Sequence, residues 1–173
     1  CIKTGYTILD NIIACALEFK CIDDIVLAIS EGDENLEYIK YAENNNLKYI
    51  IGDQEDVLSR LIKCAQLTNA TDILRTTSES PFPYFEILED VLKSHYQNGS
   101  DATFIDDIID GCGFEIISSD ALRKSHKLGD ARHRSELCTL FIRENIEQFK
   151  TKRIKLDRRL DREDLRLTVD NPE

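Results

Sequence analysis

The feature that constrains the fold of this 173-residue chain most is the regular alternation of helix-like and strand-like segments over its first half and beyond. Apolar residues recur at helical spacing in some segments, and short apolar, β-branched runs lie between them. Helices are predicted over 7–20, 53–66 and 84–97, with another opened by Gly32–Asp33, and strands over 24–30, 48–51 and 72–76. Alternating elements of this kind are typical of a mostly parallel sheet with helices on both faces. The sequence therefore predicts a three-layer α/β/α fold.

The second half of the chain is less regular. Strands are predicted over 102–105, 114–117 and 165–169, with a helix capped by Ser119 and a longer helix over 135–149. The stretch 150–166 is densely charged, and we interpret it as a solvated connection, with a substrate or subunit contact as the alternative. Near the start, Thr7 followed by Asp10 is typical of a helix N-cap.

The composition excludes several classes of protein. Apolar residues make up 42% of the chain and charged residues 32%, which is typical of one soluble globular domain. No stretch approaches the roughly 18 apolar residues of a membrane span, so we expect no membrane contact and a cytoplasmic location. The net charge of −11 argues against nucleic acid as a partner. A small anionic substrate can still bind where arginines, helix N-termini or a metal make a local positive site.

The cysteines and histidines do not indicate a metal site by their spacing. The six cysteines form neither a CxxC motif nor a zinc-like Cys–His cluster. Cys15, Cys64 and Cys138 lie on apolar helical stripes, so we interpret them as reduced core thiols. We predict that His95 and His126 lie at the surface.

Polar groups at strand ends indicate where a ligand site lies. In doubly wound sheets, ligands bind beyond the carboxyl ends of the strands. Thr76–Pro81 follows one predicted strand, Glu115 lies within another, and Asp170 ends the last. Because different strands bring polar groups together only at that edge, we interpret these three as parts of one site.

Several motifs, in order along nearly the whole chain, resemble those of a known family. Residues 52–60 (GDQEDVLSR), 74–81 (LRTTSESP) and 165–173 (LRLTVDNPE) are similar to G-x-x-x-D-V-L-x-R, V-R-x-T-G-D-C-P and L-R-L-T-V-D-x-P-E-D. Residues 111–115 (GCGFE) and 135–139 (SELCT) resemble G-x-x-x-E and R-E-H-x-T more loosely. These motifs are those of cytidylyltransferases of the spore-coat polysaccharide type, which are related to the acylneuraminate and deoxy-octulosonate cytidylyltransferases.

The resemblance implies a Rossmann-like sheet of the nucleotide-diphospho-sugar transferase type and an Mg²⁺-dependent transfer of CMP from CTP onto a small anionic sugar. It also implies a homodimer. The site that it implies comprises the metal ligands Glu79 and Asp170, the nucleotide-binding residues Arg60 and Ser78, and the catalytic residues Arg75 and Glu115. The acceptor-binding candidates Arg132, Arg134 and Glu136 belong to a polar group before a predicted helix, in which either arginine can bind an acceptor carboxylate.

The sequence also departs from the family pattern. Glu79 stands where the family has Asp, Ser78 where it has Gly, and Leu137 where it has His. The family's first strand and its R-x-x-S-x-R-L-P-G-K loop are absent. We therefore expect residues 1–173 to be a fragment, lacking both ends, of a single nucleotidyltransferase domain.

Each candidate residue also has a structural interpretation. Arg75 can pair with Glu79, Arg60 can pair with Asp56 one helical turn away, and Asp170 can form a turn before a proline. For the whole chain, the alternative is a non-catalytic module of the same fold that binds a nucleotide-sugar or pairs with an active subunit. An unrelated flavodoxin-like domain fits less well, because its acidic cluster would follow a strand.

Overall fold

The computed structural model of the chain describes residues 5–169. The helices are α1 (Ile8–Leu17), α2 (Leu36–Asn44), α3 (Val57–Thr68), α4 (Leu88–Asn98), α5 (Ser119–Leu128) and α6 (Leu140–Glu144). The strands are β1 (Val26–Ser30), β2 (Lys48–Gly52), β3 (Asp72–Arg75), β4 (Ala102–Phe104), β5 (Glu115–Ser118) and β6 (Thr151–Arg153). Single 3₁₀ turns cover Asp33–Asn35, Phe85–Ile87, Ala131–Arg134 and Ile146–Gln148.

The strands form two sheets, with the orders β1-β2 and β3-β5-β4-β6. Strands β1 and β2 run parallel from the pair Val26 and Lys48 to the pair Ser30 and Gly52. Strands β4 and β6 are also parallel. In the second sheet, β5 lies between β3 and β4, and β6 lies beside β4, so strands that are not consecutive in the chain are joined by crossovers. The predicted α/β fold with a mostly parallel sheet is confirmed.

The chain divides into two compact units, which are described separately below. Unit 1 comprises Cys1–Asp23, Leu74–Ile116 and Thr151–Glu173, and its first four and last four residues lie outside the described range 5–169. Unit 2 comprises Asp24–Ile73 and Ile117–Lys150. The candidate site residues are therefore assigned to their own units.

Unit 1 packs around a cluster of aromatic rings. Phe85 contacts Phe19 and Phe114 edge-on, with ring centroids 6.0 and 5.5 Å apart. Helix α1 begins where the sequence predicts, because Asp10 N–H donates to Thr7 Oγ1 (3.1 Å) and Thr7 N–H donates to the Asp10 carboxylate (2.6 Å). This reciprocal cap satisfies two amides that the helix itself leaves without acceptors.

Unit 2 is built on helix α3, which contacts β1, β2 and α5. Asp56 caps α3 by accepting the Ser59 N–H at 2.8 Å, and Asn69 ends it in the left-handed region, with φ of 54°. Leu58, Leu61 and Cys64 are buried on its inner face. Burial raises the pKa of the Cys64 thiol to about 11, as expected for a core cysteine.

The thiols and histidines follow the sequence predictions only in part. Cys64 and Cys138 are buried and Cys15 is half-buried, each as a free thiol. The prediction of surface histidines is wrong. His95 is fully buried and its Nδ1 lies 2.8 Å from Thr103 Oγ1, while His126 is half-buried in unit 2. A hydroxyl partner removes the penalty of burying an imidazole, and periodicity does not reveal such a partner.

The predicted strand over 165–169 is wrong. Arg166 forms an isolated parallel bridge with Asp110, and the ladder extends no further. The partner segment bends at Gly111, whose φ of +88° is far from extended backbone. Because of this bend, the backbone N–H and C=O groups around Gly111 do not continue the hydrogen-bond pattern of a parallel strand.

The predicted helix over 135–149 is also wrong, because the region contains an irregular start, the short helix α6 and one 3₁₀ turn. The Asn145 side chain donates to the Phe141 carbonyl at 2.9 Å and ends α6. Cys138, Phe141 and Phe149 are buried, so the apolar spacing arises from separate short elements that share a core. The adjacent helix α5 is capped by Ser118, which accepts the Ala121 N–H, and not by Ser119.

Strand β6 lies within the charged stretch 150–166 that the sequence predicts to be a solvated connection. It occupies the end of the order β3-β5-β4-β6. An edge strand tolerates lysine and arginine side chains, which also discourage pairing with another chain. Beyond β6, most side chains of the stretch are exposed, as predicted.

Candidate functional site

The predicted catalytic residues Arg75 and Glu115 form an ion pair in unit 1. Arg75 ends β3 and Glu115 begins β5, its neighbour in the sheet. Arg75 Nη1 lies 3.7 Å from Glu115 Oε2, and the two side chains are 22% and 15% exposed. The sequence allows an ion pair between Arg75 and Glu79, and the structure shows Arg75 paired with Glu115. Both side chains are partly accessible where β3 ends and β5 begins.

The loop after β3 carries Ser78 and Glu79 and is held at several points. Thr77 Oγ1 and Ser80 Oγ lie 2.8 Å apart, and Ser80 is buried. The Asn11 side chain donates to the Pro81 carbonyl at 2.6 Å. Ser78 is exposed and Glu79 is half-buried. The loop therefore presents a hydroxyl and a carboxylate from a fixed backbone.

The last described segment of the chain reaches this loop. Val169 N–H donates to the Glu79 carbonyl at 2.9 Å, and Leu167 N–H donates to the Asp110 carbonyl at 2.8 Å. Asp170 lies outside the described residues and directly follows Val169 in the sequence. The structure thus joins the motif that contains Glu79 to the residue preceding Asp170.

Two hydroxyls in unit 1 are buried without a hydrogen-bond partner in the described part of the chain. They are Thr76 Oγ1, at the start of the Glu79 loop, and Thr168 Oγ1, next to Val169. A buried hydroxyl without a partner costs about 1–3 kcal/mol, so such atoms call for a ligand or a water molecule. They lie on the two segments that the Val169–Glu79 hydrogen bond connects.

These oxygens fit the chemistry of magnesium. Mg²⁺ prefers oxygen ligands, keeps several waters, and is held by one or two carboxylates together with substrate phosphates. Glu79 supplies one carboxylate, and the unpaired hydroxyls of Thr76 and Thr168 can accept or donate to bound waters. Within residues 5–169, no group of three or more His, Cys, Asp or Glu side chains is arranged to hold a metal. The site therefore suits an ion that is shared with a phosphate substrate.

In unit 2, Arg60 holds the loop between β2 and α3. Its Nη1 donates to the carbonyls of Asp53 and Gln54, the latter at 3.0 Å, while its buried Nε has no hydrogen-bond partner in the part of the chain that the structure describes. This differs from the i,i+4 pair with Asp56 that the sequence offers as an alternative. Arg60 thereby presents a buried N–H beside a loop whose carbonyls it organises.

The same loop is closed by a carboxylate. Asp53 accepts the backbone N–H groups of Glu55 and Asp56, both at 2.8 Å. These two hydrogen bonds, that from Asp56 first, lower the pKa of the Asp53 carboxyl below its ordinary value.

Asp56 also joins α3 to α5, which sequence reasoning missed. Its Oδ2 lies 2.7 Å from His126 Nε2 and 3.9 Å from Arg134 Nε, and Arg134 Nη2 donates to the His126 carbonyl at 3.3 Å. Asp56 and His126 are 70 positions apart, so only the fold brings them together. The sequence signal for this contact was Asp56 itself, the aspartate of the D-V-L-x-R motif. Its Oδ1 caps α3, so its Oδ2 remains available for a second partner.

The other acceptor-binding candidates lie in unit 2 with different surroundings. Arg132 forms a bidentate pair with Glu144, at 2.6 and 2.9 Å, and His133 Nε2 lies 3.0 Å from the same carboxylate. The bonds from Arg132, and then from His133, lower the pKa of Glu144. Glu136 is exposed on the loop before α6. Glu144 therefore already engages the guanidinium of Arg132.

The predicted site residues thus fall into two groups. Arg75, Ser78, Glu79 and Glu115 lie in unit 1, and Arg60, Arg132, Arg134 and Glu136 lie in unit 2. The structure brings Arg75 to Glu115, and Arg134 close to the Asp56 cap. The described chain contains no helix that is long and apolar enough to cross a membrane.

Comparisons with known proteins show which sequences and folds the chain resembles. No family model matches the chain. The chain is 27% identical over 151 residues to an uncharacterized protein, MJ1063, of Methanocaldococcus jannaschii, and 27% identical over 154 residues to the spore coat polysaccharide biosynthesis protein SpsF of Bacillus subtilis. Both alignments cover 87% of this chain, and they cover 62% and 63% of the relatives. The chain therefore spans slightly less than two thirds of their length.

Solved structures show the fold. A cytidylyltransferase from Leptospira borgpetersenii superposes with a TM-score of 0.86 at 21% identity, over 95% of this chain and 71% of the other. A CMP:2-keto-3-deoxy-manno-octonic acid synthetase complexed with CTP superposes with a TM-score of 0.61 at 10% identity, over 86% and 78% of the two chains. The resemblance to cytidylyltransferases of the spore-coat polysaccharide type is therefore confirmed, and the chain has the Rossmann-like fold of the nucleotidyltransferases.

Proposed function

We propose that the protein transfers CMP from CTP onto an anionic sugar with release of pyrophosphate. The observation that carries the proposal is the hydrogen bond from Val169 N–H to the Glu79 carbonyl, which joins the two motifs of the proposed metal site. The similarity to SpsF and to a synthetase that was solved with CTP supports the choice of nucleotide and of a sugar acceptor.

The proposed reaction is an in-line displacement at the α-phosphorus of CTP. An acceptor oxygen forms a bond to this phosphorus while the bond to the pyrophosphate oxygen breaks, and the acceptor hydroxyl loses its proton. Such reactions depend on positioning and on the neutralisation of charge. Mg²⁺, held by Glu79 and Asp170, would neutralise the phosphate charge when it is bound.

In this proposal, the chain's own residues orient the reactants within unit 1. Arg75 ends β3 with its guanidinium near Glu115, and a planar guanidinium suits a phosphate or a carboxylate. Glu115 orients Arg75 and accepts a hydrogen bond from an acceptor hydroxyl. Ser78 presents an exposed hydroxyl beside Glu79.

In unit 2, Arg60 shapes the loop after β2 for the nucleotide, since it binds two of the loop's carbonyls and its Nε has no hydrogen-bond partner within residues 5–169. Arg134, whose buried Nε has no hydrogen-bond partner among the described residues, is the better acceptor-binding candidate of the two arginines in its loop. Arg132 and Glu136 remain weaker candidates for the acceptor, because Glu144 already engages Arg132.

Pyrophosphate release by the full-length protein tests the proposal. The assay contains CTP, Mg²⁺ and a panel of ulosonic acids, with UTP and ATP as competing nucleotides. We expect release with CTP, and its loss in Asp170→Ala and Glu79→Ala. Asp90→Ala is the matched control, because Asp90 is an exposed carboxylate of unit 1 on α4. No release with any nucleotide would favour a non-catalytic module, for which the replacement of the family's Asp by Glu79 is the supporting observation.

A further inference from the structure

The turn around Gly111 is shaped by a conformation that other residues rarely adopt. Gly111 has φ of +88°, and Cys112 N–H donates to the Ile109 carbonyl at 3.0 Å to close the turn. Tyr84 N–H in turn donates to the Cys112 carbonyl at 2.9 Å. A side chain at Gly111 would strain this backbone, because the left-handed region places Cβ too near the carbonyl.

Gly111 also leaves space for another part of the chain. A Cβ on Gly111 would lie 2.9 Å from the Leu167 carbonyl carbon, 2.9 Å from Thr168 Cγ2 and 3.0 Å from Thr168 N. Two of these three atoms belong to the backbone, so no change of side-chain rotamer relieves the overlap. The segment 166–168 can therefore pack against the turn only while residue 111 has no side chain.

The packed segment makes contacts on both sides. Asp110 accepts the Leu167 N–H at 2.8 Å and pairs with Arg166 Nε at 3.2 Å. Two residues after Leu167, Val169 N–H donates to the Glu79 carbonyl at 2.9 Å. A shift of the segment away from Gly111 therefore stretches the hydrogen bond to the Glu79 loop.

We propose that Gly111 is a positioning residue of the transfer site, which seats residues 166–169 so that Val169 holds the Glu79 loop in place. The inference rests on the proposed function of Glu79, and adds a residue that acts through the backbone and does not touch the reactants. Glycine is required at this position because a methyl group would meet backbone atoms of the opposite segment.

Gly111→Ala in the full chain tests the proposal, with Gly99→Ala as the matched control. Gly99 belongs to the same unit and has φ of +55°, but among residues 5–169 a Cβ there would have no neighbour within 4 Å. The control thus carries the backbone strain without the overlap. Gly111→Asn is the second variant, since asparagine tolerates the left-handed region better than alanine but still adds a Cβ.

Amide hydrogen exchange is the first readout and does not require activity. We expect the amides of Leu167 and Val169 to exchange on the order of tenfold faster in Gly111→Ala and Gly111→Asn, because both lose their acceptors more often. Amides of β1, in unit 2, should keep their wild-type rates. Gly99→Ala should leave Leu167 and Val169 unchanged.

Kinetics are the second readout. In Gly111→Ala, we expect kcat to fall on the order of 100-fold, as for a displacement of about 1 Å, and the Mg²⁺ concentration for half-maximal rate to rise. A purely structural role would lower the melting temperature of both glycine variants and leave the Mg²⁺ dependence unchanged. Wild-type exchange at Leu167 and Val169 in Gly111→Ala would overturn the positioning role, whereas a wild-type protein without pyrophosphate release would overturn the proposed function and leave the exchange result standing.

Discussion

Arg75 and Glu115 show how one ion pair can serve both structure and chemistry. Both side chains are mostly buried, so each needs a partner in the folded protein. Their separation of 3.7 Å is longer than that of a good charge-assisted hydrogen bond. The pair is therefore loose enough for Arg75 to engage a substrate anion without losing Glu115.

We predict that Arg75→Ala lowers kcat/KM for CTP-dependent pyrophosphate release on the order of 100-fold, because it removes a cation from the proposed site. It should also destabilise the fold by about 1–3 kcal/mol, since Glu115 loses a partner inside the protein. Steady-state kinetics and urea unfolding measure the two effects.

Arg153→Ala is the control for this prediction. Arg153 Nη1 pairs with Asp106 at 2.7 Å in the same unit, but its side chain is 62% exposed. An exposed pair contributes little, about 0–1 kcal/mol, so this variant should keep both stability and activity. Equal losses of activity in the two variants would show that Arg75 has no special role.

At the scale of elements, the Asp53 carboxylate and the Arg60 guanidinium both hold the loop between β2 and α3. Asp53 accepts the N–H groups of Asp56 and Glu55, which lowers its pKa below the ordinary value of 3.8. A depressed folded-state pKa means that the carboxylate stabilises the fold above the unfolded value near 3.8. That stability is lost as the pH falls through the lower, folded-state pKa.

We therefore predict that Asp53→Asn is less stable than the wild type at neutral pH and that the difference shrinks below about pH 4. Urea unfolding between pH 2.5 and pH 7 measures it. Asp161→Asn is the control, because this aspartate is exposed. A difference that stays constant with pH would mean that the Asp53 charge does not contribute.

The elements predicted correctly are those whose own residues determine them. Helix α1 begins at Thr7 because the cap and its partner Asp10 lie within one turn, and β1 is a short apolar run between polar residues. The segment 165–169 alternates like a strand, but the turn at Gly111 prevents it from pairing. The charged residues of β6 do not resemble a strand in the sequence, and its pairing with β4 depends on a contact between distant segments.

At the scale of the whole molecule, the fold class could be predicted because the alternation of helices and strands extends over much of the chain. The motifs located the candidate residues, but their partners depend on contacts between distant segments. Asp56 meets His126 across 70 positions, and Val169 meets Glu79 across 90. Sequence periodicity predicts which face of a helix or strand is buried, but it does not predict which distant residues contact each other. These two contacts therefore could not be predicted from the sequence.

A last prediction concerns the stability of the whole chain in the presence of its proposed substrate. A ligand that binds only the folded state stabilises it by about 2.7 kcal/mol at a concentration of 100 times its Kd. For a domain of this size, that corresponds to a rise of about 5–10 °C in Tm. We expect this rise with CTP and Mg²⁺ together, and a smaller one with UTP, ATP or either component alone.

Asp170→Asn separates the roles of the metal and of the nucleotide in this effect. If the metal ion bridges the protein and the phosphates, CTP should stabilise the variant equally with and without Mg²⁺, because the bridge is lost while contacts to the nucleotide remain. Wild-type stabilisation by CTP alone that Mg²⁺ does not increase would contradict a metal bridge. In that case arginine side chains, and not a metal ion, would neutralise the phosphate charge. Arg75→Ala should then abolish the rise in Tm caused by CTP, whereas Asp170→Asn should preserve it.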